Sequence, residues 1–350
     1  MNARKTIIIA DRIISPGSDA AVGRFLLMEG DLIKGMYPNM PAVTDAEIRD
    51  FSGCVIAPLF CDHHLHFHVN NDELLKSAAN SLKRSGIFNA YNGGSRSMRA
   101  DLRGILKLEN LTVRTAGSAL FRRSTYGRFI GTPVDSIEDA RGIIDEMSGR
   151  IDYLKIVNSG IYDPENDRIT PGGFDAEMLK ALVSYASSSG LEVWCHANGS
   201  RAVKDAVAAG VSAVIHGLYA DEATLDLMAD KKTVFIPTIS AFRSLAKRAR
   251  TGTSLANIEK VVKSQQAAAK SAFERGITVL PGSDAGPDII PYGESFLEEL
   301  MLLKDAGIPY DHLISSAAAG VMSANSPAGF VVLDGFSVKA VYRNGILLTA

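Results

Sequence analysis

From about residue 50 onward the chain alternates two patterns. Short, continuous apolar runs rich in Val and Ile give way to longer segments whose charged positions recur at helical spacing. CVIAPLF precedes DELLKSAANSLKRSG, and IFNAY precedes SMRADLRGILKLEN. LTVRTAG leads, after a long loop, to SIEDARGIIDEMSGR; IDYLKIV leads to FDAEMLKALVSYASSSG. LEVWCHA is followed by SRAVKDAVAAG, SAVIHG by DEATLDLMADKK, and TVFIPTI by SLANIEKVVKSQQAAAKSAFERG. ITVLPGSD comes last, before SFLEELMLLKDAG and YDHLISSAAAGVM. Gly86, Gly190, Gly210, Gly276 and Gly307 close several of the helical runs, where a left-handed residue stops a helix.

The count is eight strand–helix units. Unbroken apolar strands fit a parallel sheet covered on both faces. Eight such units predict an α/β fold, a TIM (β/α)8 barrel spanning residues 53–327. A doubly wound open sheet is the alternative. It would carry a Gly-rich phosphate loop after its first strand, and CDHHLHFHVNND is not one. Residues 1–52 and 328–350 read instead as short strands and turns, including an Asn344-Gly345 hairpin. These terminal pieces are expected to pair as a small β-sandwich.

Composition narrows the class. A hydrophobic fraction of 46%, a charged fraction of 22% and a net charge of −2 suit a soluble globular protein. No block of like charge points to nucleic acid or an anionic membrane. No apolar stretch approaches the ~20 residues of a membrane span. Asp11 and Arg12 interrupt the apolar start too early for a signal peptide, so a cytoplasmic location is expected. Cys54, Cys61 and Cys195 are odd in number and lack metal-type spacing, and read as buried small hydrophobes.

Chemistry on this type of barrel sits at the C-terminal strand ends. The first strand ends in His64 and His66, the fourth carries Lys155, the fifth ends at His196, the sixth at His216 and the eighth at Asp284. Residues i and i+2 of a strand share a face, so His64 and His66 can aim at one cation. Imidazole and carboxylate donors suit zinc first, with manganese, iron or cobalt as the other candidates. Each residue alone has a plainer explanation: a hydrogen-bonded histidine, a capping aspartate, a lysine reaching for water. Their coincidence at strand ends is what singles them out. His63 has the opposite parity and is expected to pack. His68 shares the parity of His64 and is a candidate for the mouth of the site. His312 is expected on an exposed helix.

With these motifs the chain resembles the amidohydrolase superfamily. Its Pro-Gly-aliphatic-aliphatic-Asp-x-His-x-His motif stands here as PLFCDHHLH, Pro58 to His66, with Leu59 in place of the usual Gly. GIFNAYNGG, LKIVNSG, VWCHANG, AVIHG and LPGSDAG complete the set. The resemblance implies a distorted barrel with a small β-sandwich and two divalent metal ions. It implies that His64, His66 and Asp284 hold the more buried ion and that His196 and His216 hold the second. Lys155 would bridge both after N-carboxylation by CO2. A hydroxide between the metals would attack the substrate, and Asp284 would act as general base and then acid.

Substrate choice is less legible. Deaminases of the superfamily usually lack the strand-four lysine and place a Glu near the metal histidines; HANG has no such Glu and Lys155 is present, so the resemblance implies hydrolysis over deamination. The motifs resemble the imidazolonepropionase-like and prolidase-like branch, which implies a small amide, a dipeptide or an N-acyl amino acid. A lactonase or phosphotriesterase could use the same metals. A cyclic-amide hydrolase and a decayed, non-catalytic barrel are the remaining readings. The basic segment SALFRRSTYGRFIGTP departs from the Gly-His-Gly pattern of the prolidase-like branch. Arg122, Arg123, Tyr126 and Arg128 in it, and Tyr219 beyond His216, are candidate substrate contacts. The expected partner is a small molecule; homo-oligomerisation is left open.

Overall fold

The computed structural model describes residues 4–16, 23–67, 71–96 and 102–349. The chain divides into two compact units. The first comprises Met1–Cys61, Ala78–Asn89 and Pro309–Ala350. Its strands form one seven-stranded sheet in the order Ile346–Thr349, Ser337–Arg343, Phe330–Asp334, Ala46–Pro58, Lys5–Ile13, Phe25–Glu29, Leu32–Tyr37. The long strand Ala46–Pro58 joins the two ends of the chain. It runs parallel to Lys5–Ile13 and antiparallel to Phe330–Asp334. Alternate residues of these strands, among them Ile8, Leu26, Met28, Ile56, Phe330, Val332 and Tyr342, meet in one buried cluster. Asn344 and Gly345 both have positive φ (51° and 72°), the geometry of the expected tight hairpin.

The second unit comprises Asp62–Ser77 and Ala90–Ile308. Its fold is mixed α/β. Six strands form a parallel sheet in the order Val234–Ile236, Ala213–His216, Val193–Ala197, Leu154–Val157, Ala119–Arg122, Gly131–Val134. Every residue of Leu154–Val157, Val193–Ala197 and Ala213–His216 is buried, as strands covered on both faces must be. The connecting helices start where the sequence offers a cap. Ser136, Asp175 and Asp221 each accept the N–H three residues on, at the starts of Ile137–Met147, Ala176–Ser188 and Glu222–Lys231. Thr251 and Ser254 form a capping box at the head of Gly252–Glu274.

Two segments differ from expectation. The stretch after the third apolar run is not a plain loop, because Ala119–Arg122 and Gly131–Val134 are parallel strands. Gly131 makes this contact possible: a Cβ there would lie 2.1 Å from Ala119 O. The last apolar run, ITVLPGSD, forms no ladder, only the single parallel bridge Phe235↔Val279, with a second, Leu65↔Ala285, at the residue after it. Pro281 has no N–H to give, and Asp284 is left-handed (φ 55°), so neither sustains an extended ladder. Among the described residues, no helix is long and apolar enough to cross a membrane.

Candidate metal centre

His64, His66, His196, His216 and Asp284 converge within the second unit, and Lys155, the second residue of Leu154–Val157, lies near enough to His64, His196 and His216 for its charge to act on them. His64 Nε2 and His66 Nε2 lie 3.2 and 3.3 Å from the same oxygen, Asp284 Oδ1. The donor atoms of these three residues lie within 4.8 Å of one another. The His64 ring is edge-on to His216 at 5.8 Å between centroids, and His216 is edge-on to His196 at 4.6 Å. His63 points the other way. Its Nδ1 lies 3.1 Å from Pro281 O and its ring stacks on Tyr91.

Hydrogen bonds decide which nitrogen each ring presents. A carbonyl oxygen only accepts, so His66 Nδ1, 3.0 Å from Gly94 O, carries the proton. Its Nε2 is thereby turned inward, onto a carboxylate oxygen of Asp284. By the same reasoning His196 donates from Nε2 to Gly160 O at 3.0 Å, leaving Nδ1 bare. His216 Nδ1 sits 2.6 Å from Thr238 Oγ1, leaving Nε2 toward the cluster. Histidines oriented through their outer nitrogen in this way are the usual arrangement around a bound metal.

The local backbone is bent to this purpose. His216 and Asp284 are left-handed, at φ 69° and 55°. Such conformations cost of order 1–3 kcal/mol each and persist only where their surroundings over-determine them. Gln265, buried in Gly252–Glu274, donates to both His216 O and Pro237 O. Asp62 ties the two ligand segments together. Its Oδ1 accepts the N–H of His64 (3.1 Å) and of Ser283 (3.0 Å), and its Oδ2 accepts the Ser283 hydroxyl at 2.5 Å.

Electrostatics favour cation binding. Burial pushes His64 down to about 3, His196 to about 4, and His216 well below the ordinary value, so all three are neutral ligands near pH 7. Burial would raise Asp284, but hydrogen bonding with His64 and His66 outweighs it and holds the carboxyl well below its usual range. Lys155 is 1% exposed, and its Nζ has no hydrogen-bond partner among the described residues. Burial pushes its amine down to about 7. Cys195, on the same strand as His196, is pushed up to about 12 by burial and is an inert thiol.

A cavity of about 360 Å³ opens beside the cluster. His196, His216 and Asp284 contribute to its lining, with Tyr126, Phe129, Tyr162 and Phe242 as aromatic walls. Tyr126 lies against the His196 ring at 5.3 Å. Arg248 is the one guanidinium in the lining among the described residues, and it pairs with Asp288. Of the candidate substrate contacts, Tyr126 lines this cavity, whereas Arg128 is exposed outside its lining. Tyr219 packs instead with Tyr162, Leu218 and Phe242. Arg123 is ion-paired to Asp135, Arg122 is exposed, and His68 lies outside the described residues.

Sequence reading missed Gln265, Thr238, Arg248 and Glu299, and gave Asp62, inside the quoted motif, no role of its own. For two of them a signal existed. Gln265 continues the buried stripe Ile258, Val261, Ala269, Ala272, and Glu299 sits among Phe296, Leu300 and Leu303. A polar residue at a core position asks for a buried partner.

Residues 55–320 match the amidohydrolase family. The chain belongs to that family and is a hydrolase of the amidohydrolase type. It is 23% identical to ochratoxinase of Aspergillus niger over 377 aligned residues, covering 93% of this chain and 77% of that protein. It is also 23% identical to imidazolonepropionase of Rhodococcus jostii (strain RHA1), covering 86% of this chain and 80% of the relative. Among solved structures, a Xaa-Pro dipeptidase with bound methionine in the active site is similar at a TM-score of 0.79 and 20% identity, over 99% of this chain and 100% of that one.

Proposed function

We propose that this protein is a metal-dependent hydrolase of a small amide of the dipeptide or N-acyl amino acid type. The observation that carries the reading is the convergence of His64 Nε2 and His66 Nε2 on one carboxylate oxygen, Asp284 Oδ1, at 3.2 and 3.3 Å. That donor set fits a divalent cation, zinc first. His64, His66 and Asp284 would hold one ion, and His196 and His216 a second. Lys155 would bridge them as a carbamate, formed when its neutral amine adds CO2 and releases one proton. The orphaned Nζ and an amine pushed down to about 7 both support that chemistry. Bound there, the two ions would lower the pKa of water and polarise the scissile carbonyl.

The remaining chemistry falls to this chain's own groups. Asp284 both reaches the histidine pair and lines the cavity, so its carboxylate can take the proton of the attacking water. It then returns that proton to the departing nitrogen, which leaves as a neutral amine. The aromatic walls exclude water and hold an apolar side chain. Arg248 offers a fork to a substrate carboxylate in exchange for Asp288. The parallel bridges at Val279 and Ala285 support closure of the strands into a distorted (β/α)8 barrel. The seven-stranded terminal sheet takes the part of the small β-sandwich.

The reading is tested with metal analysis of the purified protein and a panel of N-acyl amino acids, dipeptides, lactones and phosphotriesters. Two transition-metal ions per chain and turnover of amides are expected. Turnover confined to lactones or phosphotriesters would overturn the amide assignment, and a protein that binds no transition metal would overturn the mechanism.

A further inference from the structure

The short helix Ile239–Ser244 begins in an unusual way. Its N-cap, Thr238, is of a type that ordinarily adopts extended backbone and turns its hydroxyl back onto the first N–H groups of the helix. Here Thr238 is left-handed (φ 49°, ψ 46°) and makes no side-chain cap. Its hydroxyl faces His216 Nδ1 at 2.6 Å instead. The N–H groups at the helix start still need acceptors, because Ile239 and Ser240 are fully buried. They find one on another helix. Glu299, in Glu294–Asp305 and 0% exposed, accepts the Ser240 N–H at 2.7 Å and also bonds the Ile239 backbone.

We propose that Glu299 is a positioning residue. By capping Ile239–Ser244 from the side it releases the Thr238 hydroxyl, whose oxygen is then free to accept from His216 Nδ1 and so favour the Nδ1–H tautomer, with Nε2 bare toward the metal site. Two residues thus divide what one N-cap side chain ordinarily does. Without the Glu299 acceptor, the Ser240 N–H competes for the Thr238 hydroxyl, and His216 loses the partner that selects its tautomer. The same carboxyl is placed to steady a wider buried patch. Ser240 also donates from Oγ to Ser283 O at 3.4 Å, and Ser283 is the partner of Asp62. The importance of His216 rests on the proposed metal site, but the tautomer does not.

The test is therefore made first on the full-length protein stripped of metal. Long-range proton–nitrogen correlation spectra report the His216 tautomer, with the signal assigned from a His216→Gln variant. A single Nδ1–H form is expected in the parent protein. Thr238→Val and Glu299→Met are each expected to give a mixture of tautomers. Glu299→Gln keeps a carbonyl acceptor for Ser240 and is expected to restore the single form. If Glu299→Met does not fold, Glu299→Asp takes its place, since one methylene less withdraws the acceptor from Ser240. Zinc affinity by chelator competition is expected to fall about tenfold in Thr238→Val and in Glu299→Met, with no further loss in the double variant. A single Nδ1–H form in the Met or Asp variant, mixed tautomers in Glu299→Gln, or losses that multiply in the double variant would each overturn the proposal. Should the protein hold no zinc while the tautomers behave as stated, the metal reading fails and the role of Glu299 stands.

Discussion

Gly93 lies so close to His64 that a methyl group on it would stand 2.5 Å from His64 Cε1, and 2.7 Å from Cε1 of His66. The backbone of Gly93 needs no positive φ, so space alone keeps the position empty. Gly93→Ala should push both rings off Asp284. Overpacking of this kind costs about 1–3 kcal/mol in stability. Metal affinity and kcat/KM should fall further, about 10–100-fold. Titration with zinc and a urea melt of the same variant check both numbers, and a variant that binds zinc like the parent contradicts the packing argument.

Lys155 supplies a second prediction. Lys155→Ala should lose the second metal ion and nearly all activity, read by metal analysis and steady-state rates. A carbamate forms only from the neutral amine, whose share grows as pH rises through about 7. Reactivation of the metal-free, CO2-depleted protein by zinc and bicarbonate should thus begin about tenfold faster at pH 8 than at pH 6 at equal dissolved CO2. A pH-independent rate, or a fully active alanine variant, removes the carbamate from the mechanism.

Glu299 gives a pH dependence of stability. Burial raises its carboxyl from 4.5 to about 8. Between these values the folded protein holds a proton that the unfolded chain has lost, so this group's contribution to stability falls as pH rises through the window. Glu299→Gln has no such proton. Relative to the parent, it should gain stability by up to ~1.4 kcal/mol per pH unit from about pH 5 to pH 8. Urea unfolding of the metal-free proteins at both pH values measures the difference. Parallel pH profiles for parent and variant would contradict a buried, protonated Glu299.

Arg248 separates substrate types. If its guanidinium meets a substrate carboxylate, Arg248→Met should raise KM for N-acyl amino acids about tenfold, the scale of one charge-assisted hydrogen bond. The corresponding amides with the carboxylate capped should be affected far less. Equal losses for charged and capped substrates would place Arg248 outside recognition and leave it as the partner of Asp288.

Several of these residues were legible before any fold was known. His64 and His66 share strand parity, and His63 does not; that follows from the two-residue repeat of a strand. His196 and His216 follow from where apolar runs stop, and Lys155 stands out as a charge inside one. Asp284 was found by its place after the last such run, though that run forms only isolated bridges there. Arg248 was not legible, because it lies on no strand end, in a 3-10 turn after the short helix. The strand Gly131–Val134 was hidden because its pairing rests on a close approach of Gly131 to Ala119, not on apolar alternation.

By itself, then, the sequence determined most of the strands and helices and which histidines stand at strand ends, because periodicity and capping are local properties. It also carried the amidohydrolase motifs, whose residues keep a fixed order along the chain. Tertiary structure alone decided which nitrogen each histidine presents. Those choices depend on Gly94 O, Gly160 O and Thr238 Oγ1, partners brought in from other segments. It likewise decided that Glu299 reaches Ser240 from a different helix. A hydrogen bond is set within a few tenths of an ångström by the packing of whole elements, and no spacing along the chain encodes that distance.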